Sequence, residues 1–284
     1  MAVLLALASG FLFGAMTVAL RYALRRAPGA ELGTLVTVAS AFAVALIAFA
    51  VSGESFHGGD LGWFVLGGTL APTASQLLFT FAVREVGPSR TSVLVGTAPL
   101  FAVAIAFAAL GEPVRLPLVA GALLIVVGGV LLVSERGRPE HLKAIGLVLA
   151  VASAAAIATR DNIARWVFAG TTAPTLAGLV VALATGTLLT LLWLLAARGT
   201  SGLHVQGAWP YVPVGTVFGL SYVCLFEAYA RGRVSVVSPI VATESLWAVG
   251  LSALLLRQHE LVGRKLALGA VAVVAGGALI GAFR

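Results

Sequence analysis

The sequence predicts an all-α, polytopic membrane protein: ten transmembrane helices arranged as two inverted-topology five-helix repeats. Three observations carry that prediction. Of 284 residues, 60% are hydrophobic and 10% charged, against roughly 25% charged in a soluble domain. Uncharged runs recur along the chain, each close to the ~20 residues that an α-helix needs to cross the hydrocarbon. Stretches at both ends of the first half can also be laid over stretches of the second.

The runs 2–20, 32–53, 61–83, 91–111 and 116–134 give the first five spans, and 266–283 gives the tenth. A sixth fits 144–168 if it accommodates Arg160 and Asp161. The break "AGTTAPT" leaves a seventh at about 174–196. The eighth and ninth, near 208–230 and 234–256, contain Glu227 and Glu244. The loops between them are too short for a soluble domain. A β-barrel is excluded, because its strands alternate apolar and polar residues over ~10 positions. The opening "MAVLLALASG" ends in small residues like a signal peptide, but no basic segment precedes it and the apolar run continues to Leu20. It reads as an uncleaved first span.

The repeat is explicit at both ends. "ALASGFLFGAMTVALRYA" (6–23) lies over "AVASAAAIATRDNIARWV" (150–167), matching Ser9 to Ser153 and Arg21 to Arg165; "GALLIVVGGVLL" (121–132) lies over "GAVAVVAGGALI" (269–280). The units are 1–137 and 141–284. Five spans per unit is odd, so the second unit enters the membrane from the opposite face. Inverted halves can exchange conformations and open a midplane site to either side in turn, which points to transport. Gly10 and Gly14, Gly215 and Gly219, and Gly277 and Gly281 are spaced as helix-packing faces.

The net charge of +7 does not mark a nucleic-acid binder, since Lys and Arg fall in loops between spans rather than on a basic stripe. Cys224 is the only cysteine and lies in an apolar span, so no internal disulfide forms. The four histidines, His57, His141, His204 and His259, lack ligand spacing, and neither a metal nor another cofactor is expected.

Ionisable residues inside a span cost about 2.5–3.5 kcal/mol at its centre and therefore mark candidate working groups. Glu244 lies ten residues beyond Val234, roughly 15 Å along the helix and near the midplane. A carboxyl at that depth is a candidate proton carrier for coupled transport; its plain alternative is a structural hydrogen bond to a neighbouring helix. Arg160, Asp161 and Asn162 lie inside the sixth span about 5–8 Å from one face, and read as a gate or vestibule. Their counterparts Met16, Thr17 and Val18 are uncharged, so the fold does not itself demand charge there. Glu227 lies at a similar depth, which would allow an Arg160–Glu227 pair, or both side chains could snorkel to the headgroups. Phe218, Tyr222, Phe226 and Tyr229 share one helical face, either a pocket wall or a packing ridge. Gln76 and Trp247 are further pocket candidates. Ser238, Ser245 and Ser252 repeat every seven residues, as a close helix contact would require. Pro72, Pro99 and Pro239 interrupt the third, fourth and ninth spans, and broken helices at matching places point to a transporter's site.

The stretch "LVGTAPLFAVAIAFAALGEPVRLPLVAGALLIVVGGVLL" (94–132), with Pro99 early in the fourth span, Gly111-Glu112 at its end and spaced glycines following, resembles the EamA-type repeat of the drug/metabolite transporter superfamily. A degenerate copy carries Glu260 and the glycines of the tenth span; "SPIVATESLW" lacks a proline near Ser245, and "RQHE" replaces Gly-Glu. The resemblance implies export or exchange of small metabolites through a central cavity, and cytoplasmic termini. Lys and Arg count the other way: 12 of the 18 fall on the face opposite the termini. Glu112 and Glu260 read as helix-start carboxylates that offset the dipole.

The expected function is therefore a secondary active carrier of small metabolites in the cell (inner) membrane, working by alternating access and coupled to protons through Glu244. Its partners are a small-molecule substrate, the lipid bilayer and protons, with no nucleic acid; the chain acts as a monomer or homodimer. No nucleotide-binding loop is present. The competing classes are an intramembrane enzyme, against which no HExxH or GxSxG motif is found, and a non-transporting adaptor, which has no need of buried charge.

Overall fold

The computed structural model describes the chain except residues 28, 57–60, 99, 102–103, 106–115, 134–143, 171–173, 200–206, 232–236, 238–239, 257–262 and 284. Its helices are α1 (Ala2–Arg26), α2 (Ala30–Ser52), α3 (Gly62–Val86), α4 (Pro88–Val95), α5 (Leu116–Val133), α6 (Ala144–Gly170), α7 (Thr175–Arg198), α8 (Tyr211–Arg231), α9 (Glu244–Leu255) and α10 (Arg264–Phe283). Among the described residues there is no strand, and six helices are long and apolar enough to cross a membrane: α1, α2, α3, α6 through Ala164, α7 and α8. Leu116–Gly128 and Glu244–Leu255 are shorter apolar helices. Much of the exposed surface is apolar, with Leu4, Ile47, Val51, Leu123, Val148 and Leu254 all turned outward. Lipid is the solvent that such a surface fits.

Helix pairing follows a two-fold pattern. α1 packs on α8 and α9, while its equivalent α6 packs on α3 and α4; α2 packs on α8 and α7, while α7 packs on α3 and α2. The other extensive contacts between the halves are α5 with α10 and α4 with α9. Exchanging each first-half helix for its second-half equivalent returns the same set. The two halves thus pack mainly against each other.

Serines meet at both equivalent crossings, with the donor reversed. Ser9 Oγ lies 3.2 Å from Ser221 Oγ across α1 and α8, and Ser221 Oγ donates to the Ser9 carbonyl at 2.9 Å. At the equivalent crossing of α6 and α3, Ser153 Oγ donates to the Ser75 carbonyl at 3.0 Å. Where α5 meets α10, a β-carbon on Gly121 would stand 2.8 Å from the Gly276 carbonyl oxygen, and one on Gly128 would stand 2.7 Å from that of Gly269. Only glycine permits backbones so close. Gly14 serves α1 against α9 in this way, Gly10 meets Ile240–Thr243 just before α9, and Gly215 and Gly219 serve α8 against α2.

Polar clips hold the ends of α2 and α7. Glu54, just past α2, accepts the backbone N–H groups of Leu176 and Ala177 at 2.8 and 3.1 Å, where a carboxylate meets the positive end of the α7 dipole. At the opposite ends Arg198 bonds Glu31 at 2.8 Å.

α3 is not a continuous helix. A π-helical segment, Thr69–Ala74, separates Gly62–Gly68 from Ser75–Val86, and Ala71 is extended at φ −149°, ψ 118°. Pro72 is the cause, since its ring and missing N–H cannot continue the ladder. Thr73 Oγ1 donates to the Gly68 carbonyl at 2.6 Å and so satisfies one backbone group there.

A candidate central cavity

α4 and α9 are interrupted at equivalent points. α4 stops at Val95, a turn occupies Gly96–Thr97, and helical backbone resumes at Ala98. In the second half the helical residues Ile240 and Val241 are followed by a turn at Ala242–Thr243, and α9 begins at Glu244. The sequences "VGTAPLF" (95–101) and "VATESLW" (241–247) superpose on this register and make Glu244 the counterpart of Ala98. Each threonine closes its own turn: Thr97 Oγ1 donates to the Leu94 carbonyl and Thr243 Oγ1 to the Ile240 carbonyl, both at 2.6 Å. The ninth span is therefore a broken one, and Glu244 sits at the start of its second segment. Pro99 and Pro239, expected to break these spans, lie outside the described residues, as do Ser238, Glu112 and Glu260.

Between the halves lies a cavity of about 750 Å³ of empty space, including its open mouth. Its walls come mostly from paired positions. α1 supplies Phe13, Met16 and Thr17, and α6 supplies Ile157, Arg160 and Asp161 from the aligned positions. α3 gives Gln76 and Phe79, and α8 gives Tyr222 and Leu225 from theirs. The two breaks give Val95, Gly96 and Ala98 against Val241, Ala242 and Glu244. Among the described residues, the cavity's charge is carried by the second half. The first half places Met16, Thr17 and Ala98 where the second has Arg160, Asp161 and Glu244.

Arg160 is only 5% exposed. Its Nε stands 2.9 Å from Asp161 Oδ1, but neither atom makes a hydrogen bond within the protein; the contact is close yet outside hydrogen-bond angles. The guanidinium carbon lies 5.1 Å from the ring centre of Tyr222, within cation–π range. Tyr222 in turn packs in an aromatic group with Phe218 at 4.6 Å and Phe13 at 5.5 Å between ring centres. Gln76 is buried, and its Nε2 has no hydrogen-bond partner within the protein. Ser245 Oγ donates to the Ser92 carbonyl at 2.9 Å, tying α9 to α4 beside the cavity. That contact is of the kind the seven-residue serine spacing predicts.

Of the residues singled out from sequence, Glu244, Arg160, Asp161, Gln76 and Tyr222 line this one cavity, with Phe218 and Tyr229 from the aromatic stripe. Asn162, Glu227, Trp247, Pro72 and, from the aromatic stripe, Phe226 do not. Asn162 turns its amide to the Ala158 carbonyl on its own helix at 2.8 Å. Glu227 pairs with Arg231 one turn on, not with Arg160; the local partner four residues away prevails. Trp247 is 42% exposed and meets Phe11 edge to face at 5.3 Å, with its β-carbon against Gly14. Pro72 lies in α3 near the cavity without lining it; its ring touches Gly186 of α7. Phe13, Phe79 and Ala98 were not singled out. The repeat alignment held a signal for the first, since Phe13 lies one turn from the position matched to Asp161.

A two-repeat helical bundle with an apolar outer surface and a central cavity that holds Arg160, Asp161 and Glu244 is the build of a membrane transporter. A model of the EamA-like transporter family matches the chain twice, over residues 1–134 and 144–282, and the chain belongs to that family. The likeness extends to solved structures. One, described only as the crystal structure of a protein, is 21% identical, covers 98% of this chain and 95% of its own, and superposes with a TM-score of 0.67, which shows a shared fold. No curated protein matches the sequence.

Proposed function

We propose that the chain is a secondary carrier that exports or exchanges small metabolites by alternating access, with Glu244 coupling transport to protons. The observation that supports this most strongly is that the cavity walls come from equivalent positions of both halves. Units 1–137 and 141–284, each of five spans, would then lie in the membrane in opposite senses. The conformation of one half becomes available to the other, and the cavity opens to alternate faces. The turns at Gly96–Thr97 and Ala242–Thr243 interrupt the helical ladder of each half beside the cavity. With an even number of spans both termini share a face, assigned here to the cytoplasm on the family's pattern.

Glu244 suits the coupling role because, among the described residues, it is the cavity's one carboxyl without an adjacent cation in sequence; Asp161 has Arg160 at 2.9 Å. The test is flux in proteoliposomes holding the purified full-length chain. A carrier moves a metabolite under an imposed proton gradient and loses that uptake when the gradient is collapsed. Product formation in detergent, where no gradient exists, would instead reveal an enzyme.

A further inference from the structure

The cavity wall ends at different depths in the two halves. On α3 it includes Phe79 and stops short of Val83, one turn further on. On α8 the equivalent residues are Leu225 and Tyr229, and both line the cavity. Val83 is fully buried, whereas Tyr229 is half-buried. Tyr211, at the start of α8, donates its hydroxyl to the Ala27 carbonyl just past α1. α8 therefore runs antiparallel to α1, and Tyr229 lies toward the end of α1 that bears Met1. The cavity extends one turn further on that side than on the side of Arg26.

The shut side has distinct parts. Leu20 follows the cavity residue Met16 by one turn, about 5.4 Å along α1. It is fully buried and belongs to one apolar cluster with Phe79, Val83 and Val95. Its counterpart in the second half is the smaller Ala164. Next in sequence, Arg21 donates from Nη1 to the carbonyls of Val83 at 3.1 Å and Arg84 at 3.0 Å. These lie in the last turn of α3, where a cation meets the negative end of the helix dipole. α1 packs mainly on α8 and α9, and α3 mainly on α6 and α7, so Arg21 ties two helices whose principal partners differ.

We propose that Leu20 and Val83 form an apolar plug that shuts the cavity toward the Arg26 end of α1, and that Arg21 is its latch. The proposal rests on the carrier reading and names residues that set its resting conformation. Opening on this side parts Leu20 from Val83 and frees Arg21 from both carbonyls, with water taking over the bonds. Because water replaces them, the latch biases the equilibrium by a modest factor and does not lock it. Leu20 opposite Ala164 in the repeat adds to the bias, so the carrier rests open toward the termini.

Thiol access tests this in sealed proteoliposomes of uniform protein orientation, with the full-length chain in the Cys224→Ser background. One reporter is Val83→Cys, in the plug, which leaves the backbone carbonyl held by Arg21 in place. The other is Val241→Cys, on the cavity wall. A membrane-impermeant thiol reagent is applied to Val83→Cys from the face at the Arg26 end of α1 and to Val241→Cys from the face bearing the termini. Arg21→Gln should raise the labelling rate of Val83→Cys about tenfold, while that of Val241→Cys stays level or falls. Leu20→Ala installs the residue that the equivalent position already holds and should act in the same direction. It decides the matter if Arg21→Gln does not yield a monodisperse folded protein. General loosening of the bundle would raise labelling at both reporters. That result, or unchanged labelling of Val83→Cys, overturns the gate. Metabolite flux separates the two readings. The expected labelling in a protein that moves no metabolite keeps the gate and refutes the carrier. Flux with Val83→Cys indifferent to both variants refutes the gate and keeps the carrier.

Discussion

Thr97 and Thr243 make the same bond in opposite halves of the chain, each closing a helix break by donating its hydroxyl to the carbonyl three residues earlier at 2.6 Å. The next residue is Ala98 in one half and Glu244 in the other, and both line the central cavity. One shared backbone device thus presents two different side chains to the cavity. Glu244→Gln should keep the fold, since Ala98 shows that this position needs no charge, while proton-driven uptake falls to background. Gradient-driven flux at wild-type rate in that variant would remove Glu244 from the mechanism.

The glycine contact between α5 and α10 should be intolerant of size. A β-carbon at Gly128 would come within 2.7 Å of the Gly269 carbonyl oxygen, whereas one at Gly250 meets nothing within 4 Å. Gly128→Val should therefore destabilise by about 1–3 kcal/mol, the usual scale of overpacking. Gly250→Ala should leave stability equal or slightly raised. Thermal unfolding in detergent compares the two directly.

The α1–α8 crossing can be tested by a cross-link. Ser9 and Ser221 bring their Oγ atoms within 3.2 Å. With Cys224→Ser as background, the double variant Ser9→Cys/Ser221→Cys should form a disulfide under mild oxidation and lose transport until reduced. Failure to cross-link would contradict the helix pairing.

Tyr222 and Trp247 should respond differently. Tyr222 is 3% exposed, lines the cavity and lies under Arg160, while Trp247 is 42% exposed and packs on Phe11. Tyr222→Leu should raise KM for cargo. Trp247→Leu should leave KM near wild type and cost about 0.5–1.5 kcal/mol of stability through the lost ring contact. Equal KM effects from both would contradict the placement of either residue.

The class of fold was legible because hydrocarbon demands long apolar runs, and those runs survive in the sequence. The two repeats were legible from Ser9 with Ser153 and from the glycines of the fifth and tenth spans. Direction around each helix was not. Arg160 and Glu227 were expected at similar depth and so as a possible pair, yet Glu227 meets Arg231 on its own helix and Arg160 faces the cavity. Trp247 lies one turn from Glu244, but the offset of three residues turns it about 60° around the helix, onto α1.

Breaks in the fourth and ninth spans were sought at Pro99 and Pro239, which lie outside the described residues; among the described residues the shared feature is a threonine turn. Ser245 stands where the first half has Pro99, and the same turn forms nonetheless at Ala242–Thr243. A hydroxyl that bonds a nearby carbonyl competes with the helical ladder, and such competition leaves little mark on hydropathy. The pairing of the two halves across one cavity also joins residues distant in sequence, and only a packed structure brings them together.

Alternating access by the central cavity is tested most directly at Ala98. In the Cys224→Ser background, Ala98→Cys places one thiol on the cavity wall, and sealed proteoliposomes of uniform protein orientation allow a membrane-impermeant thiol reagent to be applied from either side. The account predicts labelling from both faces, each blocked by bound cargo. Labelling from one face only, with cargo flux intact, would contradict it.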